Sequence, residues 1–185
     1  GDIEIVAGSS NDLVVVDIKT GQTSENSWNM FRGNYLRNGT YYHQVTQSNV
    51  TVQTNEGWNV VGVPLHVSNS HYLSVFPDAI EGTLFEFEDN LYVQAIELIE
   101  GNGYWLRFSE TGETSISGWQ ISSLGIDLNE GWNLITGLSE SISIMDIVDE
   151  NDIIVPNSIY SYDDGYLPAD ELIPGNGYWI KAFEP

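Results

Sequence analysis

Glu56-Gly57-Trp58-Asn59 and Gly101-Asn102-Gly103-Tyr104-Trp105 each return 74 residues later, as Glu130-Gly131-Trp132-Asn133 and Gly175-Asn176-Gly177-Tyr178-Trp179. Two separate landmarks that share one offset mark a duplicated structural module. Each copy opens on an apolar run after its Trp-Asn pair, Val60-Val61-Gly62-Val63 in one and Leu134-Ile135-Thr136-Gly137-Leu138 in the other. Each closes on a strand of period two: Tyr104, Leu106 and Phe108 take one face, while Trp105 and Arg107, like Trp179 and Lys181, take the other. The Gly-Asn-Gly ahead of that strand reads as a turn that needs backbone freedom. Short helices are expected near Tyr72 to Phe76 and Ser143 to Val148. A unit of this length lies near the lower limit for a self-sufficient core, so the two copies are expected to pack together. The recurrent Trp58, Trp105, Trp132 and Trp179 are expected inside the modules, since residues present in every copy usually fill what every copy must fill.

Composition narrows the partners. Five Lys and Arg stand against 27 Asp and Glu, a net charge of −22, and such a field repels phosphate backbones and anionic headgroups. Nucleic acid is therefore not expected as a partner. Membrane insertion is not expected either, because no apolar run approaches the roughly 18 residues of a spanning helix. The acidity suits a salty or calcium-containing medium, where screening and divalent cations relieve self-repulsion. The absence of cysteine excludes disulfides, thiolate metal sites and thiol catalysis. With 22 aromatic residues (6 Trp, 10 Tyr and 6 Phe) and 18 Gly, the chain favours short strands and tight turns.

Ahead of the repeats, residues 1–10 and 11–21 are two β-rich runs joined by Gly-Ser-Ser-Asn-Asp, the pattern of a hairpin. They lead into Trp28-Asn-Met-Phe-Arg-Gly-Asn-Tyr-Leu-Arg-Asn-Gly39. Residues 1–42 resemble the last blade of a secreted FG-GAP or quinoprotein-like β-propeller. That resemblance implies a C-terminal piece of a longer protein, with any propeller calcium loop upstream. A lone blade cannot bury its own faces, so the upstream portion of the precursor or neighbouring protomers are the expected partners. The repeats themselves resemble GWN…GNGYW modules found toward the C-terminal ends of large secreted and surface proteins of Bacteroidota-like bacteria. The first copy departs from that pattern at Gln94, where Pro168 stands in the second. The resemblance implies an extracellular or cell-surface location and an ancillary, noncatalytic role.

The expected fold is all-β, an N-terminal propeller-blade-like hairpin followed by two homologous small antiparallel β-modules packed together. Its divisions are residues 1–42 for the blade-like segment, 43–54 for a connector ending in the strand Val50–Thr54, and 55–113 for module one. Residues 114–129 supply linking strands that include Trp119, and 130–185 form module two.

Catalytic chemistry finds little support. There is no Gly-X-Ser-X-Gly elbow, and only His43, His66 and His71 are available as imidazole bases. The five-residue spacing of His66 and His71 is loose for zinc, and both read as surface-loop residues. Paired carboxylates such as Asp163/Asp164 fall at a hairpin turn, matched by Asp89/Asn90 in module one, where solvated Asp is expected anyway. Calcium is the more credible cofactor: Asp146, Asp149, Glu150, Asn151 and Asp152 offer hard oxygen ligands within one loop, without EF-hand spacing. Aromatic rings that stack on sugars suggest polysaccharide as a ligand. With the repeated Trp residues assigned to cores, the candidates for that surface are Trp119, Tyr92 and Tyr166. The expected function is thus a noncatalytic accessory or adhesion module, with a structural subunit joined by β-strand complementation as the alternative.

Overall fold

A computed structural model describes residues 3–8, 13–18 and 47–183. The chain divides into two compact units, Gly1–Val45 and Thr46–Pro185. In the first, β1 (Ile3–Gly8) and β2 (Leu13–Ile18) form the expected antiparallel hairpin, with Ile3 opposite Ile18 and Gly8 opposite Leu13. The Trp28–Gly39 stretch that carries the propeller resemblance lies outside the described residues, as does His43.

The second unit holds both repeats. Its first half contains β3 (Gln47–Thr54), β4 (Gly57–Val61), β5 (Leu65–His66), α1 (Tyr72–Val75), β6 (Phe85–Glu88), β7 (Leu91–Gln94), β8 (Tyr104–Phe108) and β9 (Gly112–Gln120). The second half contains β10 (Gly131–Thr136), β11 (Ile142–Ser143), β12 (Tyr160–Tyr162), β13 (Tyr166–Pro168), β14 (Glu171–Leu172) and β15 (Gly177–Ala182), with a short 3-10 turn at Ile144–Asp146. The fold is all-β, built from several small antiparallel sheets. Two four-stranded sheets repeat one order, β4-β8-β6-β7 and β10-β15-β12-β13. β3-β9-β5 and β11-β14 complete the unit.

Each part of the repeated motif has a local task. In Gly-Trp-Asn the Asn folds back: the Oδ1 of Asn59 and of Asn133 accepts from the N–H of Asn55 and Asn129, 2.8 Å in both copies. Their amides donate to the carbonyls of the same two residues, again at 2.8 Å. A single side chain therefore satisfies both polar groups of a turn backbone that no strand pairs. In Gly-Asn-Gly-Tyr-Trp the Tyr is core. Tyr104 and Tyr178 are almost wholly buried, and their hydroxyls accept from the N–H of Ile99 and Ile173 at 3.0 and 2.7 Å, pinning the loop ahead of the closing strand. Burial pushes both phenols above the ordinary tyrosine value, so each remains a neutral hydroxyl.

The Gly-Asn-Gly turns join the modules, and they do so reciprocally. Gly62 N–H donates to Gly175 C=O at 3.0 Å, and its counterpart Thr136 N–H donates to Gly101 C=O at 2.9 Å. Antiparallel bridges Val61 to Asn176 and Asn102 to Ile135 stand beside these bonds at the same offset. Gly101 and Gly175 hold φ near +88° and +84°, left-handed values that favour glycine. Gly103 and Gly177 admit the neighbouring module's backbone: a Cβ on Gly103 would lie 2.6 Å from the Ile135 carbonyl oxygen, and one on Gly177 would lie 3.1 Å from that of Val61. Val52 of β3 packs on Gly175, and Ile126, at the same place in the second copy, packs on Gly101. The modules are thus related by an approximate two-fold rotation about the paired turns.

Two cores flank that axis. Module one buries Leu65, Phe76, Leu84, Tyr104, Leu106 and Phe108 together, and module two buries Ile135, Ile159, Leu172, Tyr178 and Ile180. Val60, Leu134 and Trp179 form a third buried cluster, against which Phe87 and Trp105 of module one and Tyr160 and Tyr162 of module two pack. The symmetry is incomplete. β3 pairs with β9 over eight residues, but residues 121–128, at the position of β3 in the second copy, form no strand. The short helix expected at 143–148 is likewise reduced to the single 3-10 turn.

Gly103→Ala forces a methyl into the Ile135 carbonyl and is expected to lower unfolding free energy by about 1–3 kcal/mol. Gly112→Ala, whose Cβ would meet nothing within 4 Å, should change it by less than about 0.5 kcal/mol. Urea unfolding of both variants checks the difference, and equal effects would remove the assigned role of Gly103.

Candidate functional site

The outward faces of β4, β8, β10 and β15 carry the repeated tryptophans. In β8 the burial alternates, with Tyr104, Leu106 and Phe108 inward and Trp105 and Arg107 outward, as the period-two reading requires. The core assignment of the tryptophans fails at two of four positions. Trp58 and Trp132 are 41% and 39% exposed, Trp105 is half-buried, and only Trp179 is enclosed, at 7%. The physical reason lies in the pleat: Trp58 and Trp132 stand opposite Arg107 and Lys181 in register, on the face that each sheet turns away from its core. Lys181 places its ammonium 5.9 Å from the Trp132 ring centre, a cation–π contact at the rim.

These rings extend into two matching chains that cross the module boundary. In one, Trp58 meets Phe85 and Trp105 at 6.0 and 6.3 Å between ring centres. Trp105 then meets Tyr162 of the other module at 4.6 Å, and Tyr162 meets Tyr166 at 5.6 Å. In the other, Trp132 meets Tyr160 and Trp179 at 6.0 and 6.2 Å. Trp179 meets Phe87 at 4.8 Å, and Phe87 meets Tyr92 at 5.4 Å. The tryptophan pairs stand edge to face, at 85° and 90°. That is a favoured arrangement for ring quadrupoles. Each chain takes three rings from its own module and two from the hairpin of the other.

The hairpins supply the crossing rings because their turns are tight. Asp89 and Asn90 both hold positive φ between the paired Glu88 and Leu91, a two-residue turn of the type that matches strand twist. Asp163-Asp164-Gly165 joins Tyr162 to its partner Tyr166. The acidic pairs are turn residues, as expected, and Asp163 also accepts from the Asn55 amide of the other module at 3.1 Å.

Between the rings lie two clefts. One, of about 450 Å³, is lined by Phe87, Tyr92, Trp132, Tyr160, Tyr166 and Trp179. The second, of about 390 Å³, is lined by Trp58, Phe85, Tyr92, Trp105 and Tyr162. Tyr92 borders both. Among the described residues every lining side chain is aromatic, and the polar atoms these side chains offer are tyrosine hydroxyls and indole N–H groups. The Nε1 atoms of Trp105 and Trp179 are buried, with no well-formed hydrogen bond among the described residues. The Tyr166 hydroxyl lies beside the Trp179 N–H. Burial is the largest influence on that phenol and holds it above the ordinary tyrosine value.

Of the three aromatic candidates from the sequence, Tyr92 and Tyr166 belong to the clefts, 55% and 56% exposed at the hairpin ends. Trp119 lies apart on β9, with its ring 6.1 Å from that of His66. His66 pairs with Glu100 on the surface, and His71 caps α1 through Nδ1, accepting from Leu73 N–H at 3.3 Å. The acidic loop is organised around its own backbone. The two oxygens of Asp149 accept from Ile153 and Ile154 N–H at 3.1 and 2.9 Å, and Asp146 ends the 3-10 turn. Asp146, Asp149, Glu150 and Asp152 are not drawn into one ligand set, and no three His, Asp or Glu side chains converge on a common cation site among the described residues.

Comparisons with protein-family models, with curated proteins and with solved structures each returned no match.

Full removal of the two tryptophan classes should separate them. Trp179→Ala is expected to cost about 3–5 kcal/mol. Trp132→Ala should cost under about 2 kcal/mol, in keeping with its partial exposure. Denaturant unfolding measures both, and equal losses would restore Trp132 to the core.

Proposed function

We propose that this chain is a noncatalytic recognition and adhesion module of a larger secreted or surface protein, and that its ligand lies in the twin aromatic clefts. The observation that carries this reading is the pair of five-ring chains, each assembled from both modules, around two buried indole N–H groups with no well-formed hydrogen bond among the described residues. Apolar concavities with a few convergent polar groups are the usual form of a binding site. The lining provides ring faces and neutral hydrogen-bonding groups, with no carboxylate, imidazole or amine, so binding is favoured over proton transfer or nucleophilic attack. An extended chain that brings no negative charge fits both the ring lining and the acidity of the molecule. A neutral polysaccharide is one such chain, and its sugar rings would lie against the exposed Tyr92 and Tyr166.

A second reading has one observation in its favour. Residues 121–128 keep the place of β3 without forming a strand, and a strand from another molecule set beside them would reproduce the β3–β9 pairing. Under that reading the chain is a structural subunit assembled by strand complementation, and native mass spectrometry should find concentration-dependent oligomers. A monomer at all concentrations would end it.

For the first reading, the Tyr92→Ala/Tyr166→Ala double variant is expected to lose less than about 2 kcal/mol of stability, because both side chains are half exposed. It should no longer be retained on immobilised neutral polysaccharide or proline-rich peptide, whichever of these retards the unaltered protein. Equal elution of the two proteins from both matrices would overturn the assignment of the clefts.

A further inference from the structure

The donor and acceptor balance of the clefts narrows the ligand, on the reading that the clefts are the binding site. Trp179 is more than nine-tenths buried, and among the described residues the indole N–H of Trp105 has no acceptor while that of Trp179 has the Tyr166 hydroxyl beside it without a well-formed bond. An indole N–H only donates, so the atoms left unsatisfied call for a ligand rich in acceptors. Sugar hydroxyls bring as many donors as acceptors. Among the cleft side chains only the tyrosine hydroxyls could receive those donors, with no carboxylate or amide in either lining. The rings are also set edge to face, at 73° to 90° along Trp58–Trp105–Tyr162 and Trp132–Trp179–Phe87. Such rings make a notched groove, whereas a flat sugar face is better matched by a flat platform.

We propose that the two clefts bind a proline-rich segment of another protein, held in the polyproline II conformation and flanked by basic residues. Pyrrolidine rings are compact, apolar and puckered, and fill notches between aromatic ridges. Prolyl peptide groups have a carbonyl and no N–H, which supplies acceptors to Trp105 and Trp179 and asks for none in return. The conformation exists before binding, so little ordering is lost on docking into an aromatic groove. The flanking charge follows from the net charge of −22 and from the hairpin-turn carboxylates Asp89, Asp163 and Asp164, which lie next to the strands that carry Tyr92, Tyr162 and Tyr166. The approximate two-fold relation doubles the site, and a long proline-rich segment can engage both clefts with a gain in avidity.

The test uses the full chain, labelled with ¹⁵N, and an oligoproline of about ten residues with arginine at each end, roughly 30 Å long. Titration should move the indole resonances of Trp105 and Trp179 to lower field as their N–H groups gain acceptors. Tyr92→Ala and Tyr166→Ala should each weaken binding by about tenfold. Trp179→Phe, which keeps a ring but removes the donor, should weaken it as well, and added salt should weaken it through the arginines. A neutral β-linked gluco-oligosaccharide is titrated in parallel. If the saccharide moves these resonances and the oligoproline does not, the peptide proposal falls and the clefts remain a binding site. If neither moves them, both fall. Oligoproline binding that survives the Tyr92→Ala/Tyr166→Ala double variant places the peptide elsewhere and also overturns the proposal.

Discussion

Three backbone hydrogen bonds, the reciprocal pair from Gly62 N–H to Gly175 C=O and from Thr136 N–H to Gly101 C=O together with Gly103 N–H to Leu134 C=O, hold the duplicated modules in their mutual position. Everything that distinguishes this molecule from two separate small sheets depends on that reciprocal contact. It requires backbone to meet backbone, which explains why the motif is framed by glycine: a Cβ at Gly103 or Gly177 would enter the space of the facing strand. Hydrogen bonds formed at a buried junction contribute modestly in net terms, but leaving their groups unpaired there is costly. The docked arrangement is therefore favoured over small displacements of one module against the other. The third apolar cluster, centred on Val60, Leu134 and Trp179, closes around the same junction.

The clefts are a consequence of this docking. Trp105 belongs to one repeat and its partner Tyr162 to the other, and the same holds for Trp179 and Phe87. A single module would carry three rings of one chain and two of the other, and neither chain complete. The duplication thus does two things at once: it gives each small core a neighbour against which to pack, and it creates an aromatic surface that neither copy holds alone.

Much of this architecture was legible in the sequence. The constant offset disclosed the modules, the period-two run from Tyr104 to Phe108 assigned its inward face, and the short helix at Tyr72–Val75 and the N-terminal hairpin lie where expected. Tyr92 and Tyr166, offered by the sequence as exposed aromatics apart from the repeated tryptophans, are indeed half exposed and border the clefts. Reading recurrence as core filling holds for Trp179 and fails for Trp58 and Trp132. A signal against that reading was present in the same strands: Trp105 shares its face with Arg107, and Trp179 with Lys181, and a face that carries a long cation is turned to solvent or to a rim. Nothing in the spacing could disclose that Phe87 would meet Trp179 instead of a ring of its own module. That contact depends on the rotation between modules, a tertiary property that no local pattern encodes. Residue type offers the loop Asp146–Asp152 as oxygen ligands for calcium, and the structure adds that Asp149 accepts from the amides of Ile153 and Ile154.

The central claim is that each aromatic chain is completed by the opposite repeat, and indole ¹H–¹⁵N spectra of single variants address it most directly. Tyr162→Leu should shift the Trp105 resonance most strongly, and Phe87→Leu should shift that of Trp179, because a neighbouring ring contributes a local magnetic field that a leucine does not. If Tyr162→Leu instead perturbs Trp179 alone and leaves Trp105 in place, the rings are arranged within their own modules, and the reciprocal docking described here is wrong.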